Sequence, residues 1–450
     1  MRWTVSSAPF GSPFACDNPG RVTRAMWRSQ HRTSSLAPWA ASLAGIVVTF
    51  PGGMPGIADG SGPRITDLLS LVCAALLLLA VLRSAPLHRA IYSILLVWAL
   101  TVPWVLMELY ALSGAPDPPV QRLLIRWILY GCSAYVVTVL AESPELRPRF
   151  LYGLLIGVVL SSLTLLYDFL TFSPEDLPIE YLVNIAIYNG KDIHDFIYRA
   201  SGIFGHSNGA AGCVLVGVPL LIGVIQEGRV PRWSIVIALA LMGAVFYLTK
   251  SRGSLTVSAA LVAYWFWSQT RAVRLPLMLA GVMVALGVLA AGGLADWDGN
   301  VLIERFLDSN SISVNAGDRW WTVATSFELI MQNPLGMGSA YVEPLDTATG
   351  TSATHNAYLE LALMAGLPLT VFVVVRLVKA AAGLFMPWQP VEAWLAAYLL
   401  GIFAFESYFL QTSVQLMTLW LVISPLRPFG KRIASPAGLR CTLPRPTASP

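Results

Sequence analysis

A run of about 20 apolar residues is long enough to cross the hydrocarbon core of a bilayer, and this chain carries one such run after another. Windows of that length fall near 37–57, 65–82, 90–111, 123–141, 150–171, 203–225, 233–249, 254–268, 274–293, 356–375, 390–405 and 408–425. Backbone that faces lipid must satisfy its own polar groups, so each run is expected to be a helix. Composition excludes the soluble alternative. Only 12% of the 450 residues are charged, against about 25% in soluble domains, which is too few to clothe a water-facing surface. The expected fold is an all-α polytopic membrane protein of about 12 transmembrane helices, with a large extracytoplasmic loop between helices 9 and 10.

Lys and Arg then orient the chain. With both termini in the cytoplasm, the inner segments hold Arg2, Arg21, Arg24, Arg28 and Arg32, then Arg83 and Arg89, Arg147 and Arg149, Arg229 and Arg232, Arg271 and Arg274, Arg376 and Lys379, and the basic tail from Arg427 onward. Every inner segment carries at least a basic pair. The division that follows is a disordered cytoplasmic tail over 1–36, transmembrane helices 1–9 over 37–293, a large periplasmic loop over 294–355, helices 10–12 over 356–425, and a second cytoplasmic tail over 426–450. A net charge of +4 with scattered basic residues gives no reason to expect nucleic acid as a partner. Five cysteines without paired spacing suggest neither a disulfide framework nor a zinc site.

Two outer segments, 172–202 and 294–355, are longer than simple connections. The second is rich in aromatic residues. From Asp318 the positions Trp320, Val323, Phe327 and Ile330 recur at helical spacing until Pro334, which predicts an amphipathic helix lying in the membrane–water interface. Several basic residues sit outside, against the charge rule. Arg252 lies in the tight turn Lys250-Ser251-Arg252-Gly253, Arg199 precedes the polar stretch Gly202 to Asn208 that contains His206, and Arg319 follows Gly317-Asp318. His355-Asn356 closes the large loop and opens the next helix.

Guanidinium groups stay charged in a partly dry site and grip phosphate oxygens in pairs, while an imidazole accepts a proton near neutral pH. The set therefore suits a polyanionic lipid at the outer leaflet. The bland reading stands beside it: Arg252, Arg199 and Arg319 as headgroup anchors or snorkelling residues, and His355, like His206, as part of a helix start that Asn356 caps. The acidic pair Asp296 and Asp298, and the cluster Asp192, His194 and Asp195, are too small to define a metal site. Asp67, Glu108, Asp168 and Glu406 fall near the outer helix ends rather than mid-membrane, which argues against a proton relay.

Lys250-Ser251-Arg252-Gly253, then Asp318-Arg319 ahead of Asn333-Pro334-Leu335-Gly336-Met337-Gly338, then His355-Asn356 followed by Leu363 to Leu369, together resemble the O-antigen ligase and O-antigen polymerase superfamily of bacterial glycan transferases. The resemblance implies glycan transfer from an undecaprenyl diphosphate carrier to an acceptor hydroxyl at the periplasmic face of the inner membrane, with no metal and no cofactor. It implies His355 as the base on the acceptor, with Arg252, Arg319 and Arg199 holding the diphosphate. His206, Asn356 and Lys250 are secondary candidates. The implied partners are the lipid-linked glycan donor, lipid A core or another glycan as acceptor, and membrane lipids. After Gly366 the chain reads Leu-Pro-Leu-Thr, where many ligases carry a second glycine and hydroxyl residues. The subtype is therefore open between a ligase, a polysaccharide polymerase and a protein O-oligosaccharyltransferase. A lipid-glycan permease is the alternative of another class; it predicts internal repeats and broken helices at the midplane, neither of which is evident in the sequence.

Overall fold

The computed structural model describes residues 36–49, 65–81, 91, 93–95, 97–98, 118–172, 199–204, 206–269, 309–350, 354–387, 389–406 and 412–424. The runs near 90–111 and 274–293, both tails, Glu108, the acidic residues 192–195 and 296–298, and most of 172–202 lie wholly or largely outside that set. Among the described residues all regular structure is helical.

Among the described residues four segments are long and apolar enough to cross a membrane: Leu146–Thr171, Ser207–Gln226, Arg232–Thr249 and Leu367–Phe385. Shorter apolar helices pack among them. In chain order the helices are α1 (Leu36–Thr49), α2 (Ile65–Val81), α3 (Pro118–Glu142), α4 (Leu146–Thr171), α5 (Ser207–Leu215), α6 (Gly217–Gln226), α7 (Ile235–Thr249) and α8 (Arg252–Ser268). They continue with α9 (Ser309–Gln332), α10 (Val342–Thr349), α11 (Ala357–Ala365), α12 (Leu367–Ala381), α13 (Val391–Ile402) and α14 (Thr412–Ile423).

Between apolar helices in lipid there is little hydrophobic drive, so close contact comes from small residues. α1 meets α4 in this way. Ala37, Ala40, Ala41 and Ala44 are buried, and a methyl group added at Gly153 would sit 2.0 Å from the Ser42 carbonyl oxygen. α5 and α6 form the centre of the bundle, with almost every side chain buried. The Tyr398 hydroxyl on α13 donates to the Gly212 carbonyl on α5 at 2.7 Å.

Contacts at the helix ends define two poles. At one, the start of α4, the end of α6 and the start of α13 meet through Arg147, Glu227 and Glu392. At the other, the end of α4, the end of α7, the starts of α5 and α8, and the end of α13 come together. Trp233 and Trp267 are exposed near the first pole and Tyr167 near the second, where amphipathic rings favour a membrane boundary.

Three local features differ from the sequence reading. The run 356–375 is two helices, because Gly366 at φ 86° breaks it. The second of them, α12, continues to Ala381, so Arg376 and Lys379 lie on a helix rather than in a loop; Arg376 donates to the Val422 carbonyl at the end of α14. The helix predicted from Asp318 begins at Ser309.

Candidate functional site

The second pole is assembled from four short segments, each fixed by hydrogen bonds that sequence separation alone would not suggest. The first is 199–202. The amide of Ala200 donates to the Leu248 carbonyl at 2.9 Å, and Arg199 Nε donates to the Thr249 carbonyl at 2.9 Å. The last carbonyls of a helix have no partner within it and carry partial negative charge, so the end of α7 is a natural seat for an arginine. Arg199 Nη2 also donates to Asn208 Oδ1 in the first turn of α5. Asp168 Oδ2, at the end of α4, accepts from the amides of Ser201 and Gly202, both at 2.8 Å.

The second segment is the turn between α7 and α8. Lys250 ends α7 in the left-handed conformation at φ 53°, Ser251 is extended, and Arg252 is the first residue of α8. Two residues thus reverse the chain, and Arg252 stands at the rim of the pole. Behind it, a methyl group added at Gly253 would lie 3.1 Å from Phe405 Cβ, which places this turn against the third segment, 403–406.

The fourth segment is 354–357. His355 adopts φ 51°, a region that a non-glycine residue occupies at some cost and that is enriched at functional sites. A clip holds it there. The buried Thr354 hydroxyl donates to the Asn356 carbonyl at 2.8 Å and accepts from the Asn356 amide at 3.2 Å. Asn356 Oδ1 then caps α11, accepting from the amides of Tyr358 at 3.0 Å and Leu359 at 3.1 Å. The Ala357 amide donates to the Phe403 carbonyl at 2.8 Å, so His355 and the end of α13 are fastened together.

Arg319 arrives on α9. That helix buries Thr322, Ser326 and Ile330 and ends at a main-chain clasp, where the Met337 amide donates to the Leu363 carbonyl at 2.6 Å and the Leu367 amide to the Pro334 carbonyl at 2.9 Å. Gly336 and Gly366 face each other there, and a side chain on either would strike the other strand of backbone at under 3 Å. The buried Tyr341 phenol is hydrogen-bonded to the buried Glu360 of α11. Burial first, then that carboxylate, pushes the phenol above its ordinary range.

Electrostatics ties the segments into one site. His355 is half-buried, and desolvation, then Arg319, then His206 lower its pKa below the ordinary value. His206, exposed at the start of α5, is lowered by the packing around it and then by Arg199. Both imidazoles are therefore held toward the neutral form. Glu406, 6% exposed, feels the charge of both arginines. Burial pushes its carboxyl up to about 7, against the opposing pull of Arg319 and Arg199.

The structure thus brings Arg199, His206, Arg319, His355 and Asn356 to one pole. Arg252 and Lys250 join them through the turn that packs on Phe405. Glu406 is the member the sequence reading gave no role. Its one signal was a lone acid between two apolar runs. Among the described residues no three His, Cys, Asp or Glu side chains form a metal-ligand group.

Chemically, the pole offers a neutral imidazole able to take a proton, fixed cations able to hold an anion, and a carboxyl that ionises near neutrality. No curated protein matches the chain. Residues 237–374, from within α7 to within α12, match the family model described as O-antigen ligase. That segment holds Lys250, Arg252, Arg319, His355 and Asn356, while Arg199, His206 and Glu406 reach the same pole from outside it. Over that segment the chain is similar to the O-antigen ligase family.

Proposed function

We propose that this membrane protein transfers a glycan from an undecaprenyl diphosphate carrier to an acceptor hydroxyl at the periplasmic face of the inner membrane, as an O-antigen ligase or a polymerase of the same superfamily. The observation that carries the reading is His355, clipped in a left-handed conformation and kept neutral beside Arg319. A neutral imidazole can accept the acceptor's hydroxyl proton as its oxygen bonds to the anomeric carbon. The bond from that carbon to the carrier's phosphate oxygen breaks, and the electron pair leaves with the diphosphate. Arg319, Arg252 and Arg199 would hold the developing charge, in a site where fixed cations act more strongly than in water.

Glu406 would set how firmly. As an anion it competes with the diphosphate for Arg319 and Arg199; as a neutral acid it leaves both to the substrate. The basic residues near the Arg147 pole support placing that pole in the cytoplasm, and hence His355 outside, where no nucleotide is needed.

The test is transfer in reconstituted vesicles from a glycan-loaded undecaprenyl diphosphate, with and without lipid A core. A single product that requires lipid A core identifies a ligase, and a ladder from donor alone identifies a polymerase. Undiminished transfer by His355→Ala would overturn the mechanism.

A further inference from the structure

α9 has three distinct faces. Thr322, Ser326 and Ile330 are buried against the rest of the protein. Glu328 and Gln332 are exposed and polar, their side chains meeting at 3.5 Å, and Trp321 on the same side donates its indole N–H to the Ala348 carbonyl of α10. Between these faces runs a strip of exposed apolar residues: Trp320, Ala324, Phe327 and Met331. Trp320 and Met331 are each 73% exposed. At 100° per residue these four positions project in nearly one direction, and Leu335 extends the strip past the helix end.

The strip does not stop at α9. The main chain of Leu335 lies directly on Gly366, and Leu367 begins α12 with its amide bonded to the Pro334 carbonyl. Leu367, Val371, Val375 and Val378 form the exposed face of α12, a helix long and apolar enough to span a membrane. One apolar surface therefore passes from a spanning helix onto α9 through Leu335 and Leu367. Soluble surfaces rarely expose so continuous a patch, and an aromatic-bearing amphipathic face of this kind buries at the headgroup–acyl boundary.

We propose that α9 is seated on the lipid bilayer through Trp320, Phe327, Met331 and Leu335, continuous with the lipid-facing side of α12. Glu328 and Gln332 face water. Arg319, one residue before Trp320, is thereby carried at headgroup depth beside His355. The bilayer itself becomes one of the supports that fix the arginine's height above the histidine.

The test is collision accessibility of single spin labels on the full chain in phosphatidylcholine vesicles. Labels are placed through Phe327→Cys, Met331→Cys or Gln332→Cys after replacement of the native cysteines. The oxygen-to-nickel accessibility ratio should be severalfold higher at 327 and 331 than at the adjacent position 332. Equal ratios at 331 and 332 would overturn the proposal, because both would then face water. Exclusion of both probes at 331 would also overturn it, in favour of a second protein surface on the strip. A second measurement keeps the native cysteines. Photo-crosslinking with a diazirine-bearing phosphatidylcholine should modify the stretch 320–335, and absence of adducts there, with adducts present on α12, would equally reject the bilayer seat.

Discussion

The two poles of the helical bundle both concentrate charge, yet they treat it in opposite ways. At the first, Arg147 bonds two carboxylates. Its Nε lies 2.6 Å from Glu392 Oε1, its Nη2 2.5 Å from Glu227 Oε1, and Arg229 Nε adds a contact to Glu227 at 2.8 Å. Burial works to raise the Glu227 carboxyl, but the Arg147 and Arg229 bonds hold it below the ordinary range. Each cation there has an anion, and each anion is fully engaged. At the second pole Arg199 and Arg319 share Glu406, whose carboxyl burial lifts to about 7, beside two imidazoles biased toward neutrality. A matched cluster is a staple. A cluster whose carboxyl exchanges its proton near pH 7 suits the proposed binding of an anion and movement of a proton.

That contrast is breakable. The largest effect belongs to His355→Ala, expected to lower transfer by about 10²–10⁴-fold, the usual worth of a general base, with the melting temperature unchanged. Loss of folding in place of loss of rate would reassign His355 to structure. Next is Arg147→Met, which takes from the partly buried Glu392 its bonded cation and leaves Glu227 with the Arg229 contact alone. Removal of one partner from a buried pair costs roughly 3 kcal/mol or more. Thermal unfolding should show that loss, while transfer per folded molecule stays at the parent level. A drop in turnover with intact stability would mean that the first pole takes part in function.

Arg319→Gln should raise the donor KM by about tenfold or more, as expected when a hydrogen bond from a charged group is lost. It should also move the acid limb of the pH–rate profile. In the parent, the rate falls as pH drops through the His355 pKa, which lies below the usual value of the imidazole. Without the Arg319 charge that pKa rises, so the limb moves to higher pH. The smallest effect is that of Glu406→Gln. The parent carboxyl gains its charge as pH rises through about 7, so donor KM should be lowest below that point and increase severalfold above it. In Glu406→Gln, KM should stay flat across the same interval. A parent KM that ignores pH between 6 and 8 would remove Glu406 from the anion site.

Much of the second pole was legible in the sequence because its parts are local. Lys250-Ser251-Arg252 is a turn between two apolar runs, and His355-Asn356 is a helix start. The helical spacing from Trp320 marked α9, although its start at Ser309 was not visible, since the residues before Asp318 carry no apolar period. Glu406 was not legible as a site residue, because its importance comes from Arg199 and Arg319, which reach it from distant parts of the chain. Arg147 reads in the sequence only as one of a basic pair. Its two partners lie 80 and 245 residues away, and no periodicity links them. Spacing reports what neighbours in the chain do together, whereas counter-ions are chosen by the tertiary fold.

The contact between Gly336 and Gly366 has a bearing on how such a protein can change. Main chain rests on main chain there, and the hydrogen bonds on either side are also main chain to main chain. A joint made this way reads no side chain except the two missing ones. The segments on its outer side can lengthen, shorten or exchange their surface residues, and the hinge into α12 still closes on the same geometry. Diversification of whatever the outer loop recognises is thereby uncoupled from the placement of His355. Two positions are the exception: any side chain at Gly336 or Gly366, including a single methyl group, meets a disfavoured φ together with the Met364 or the Leu335 carbonyl.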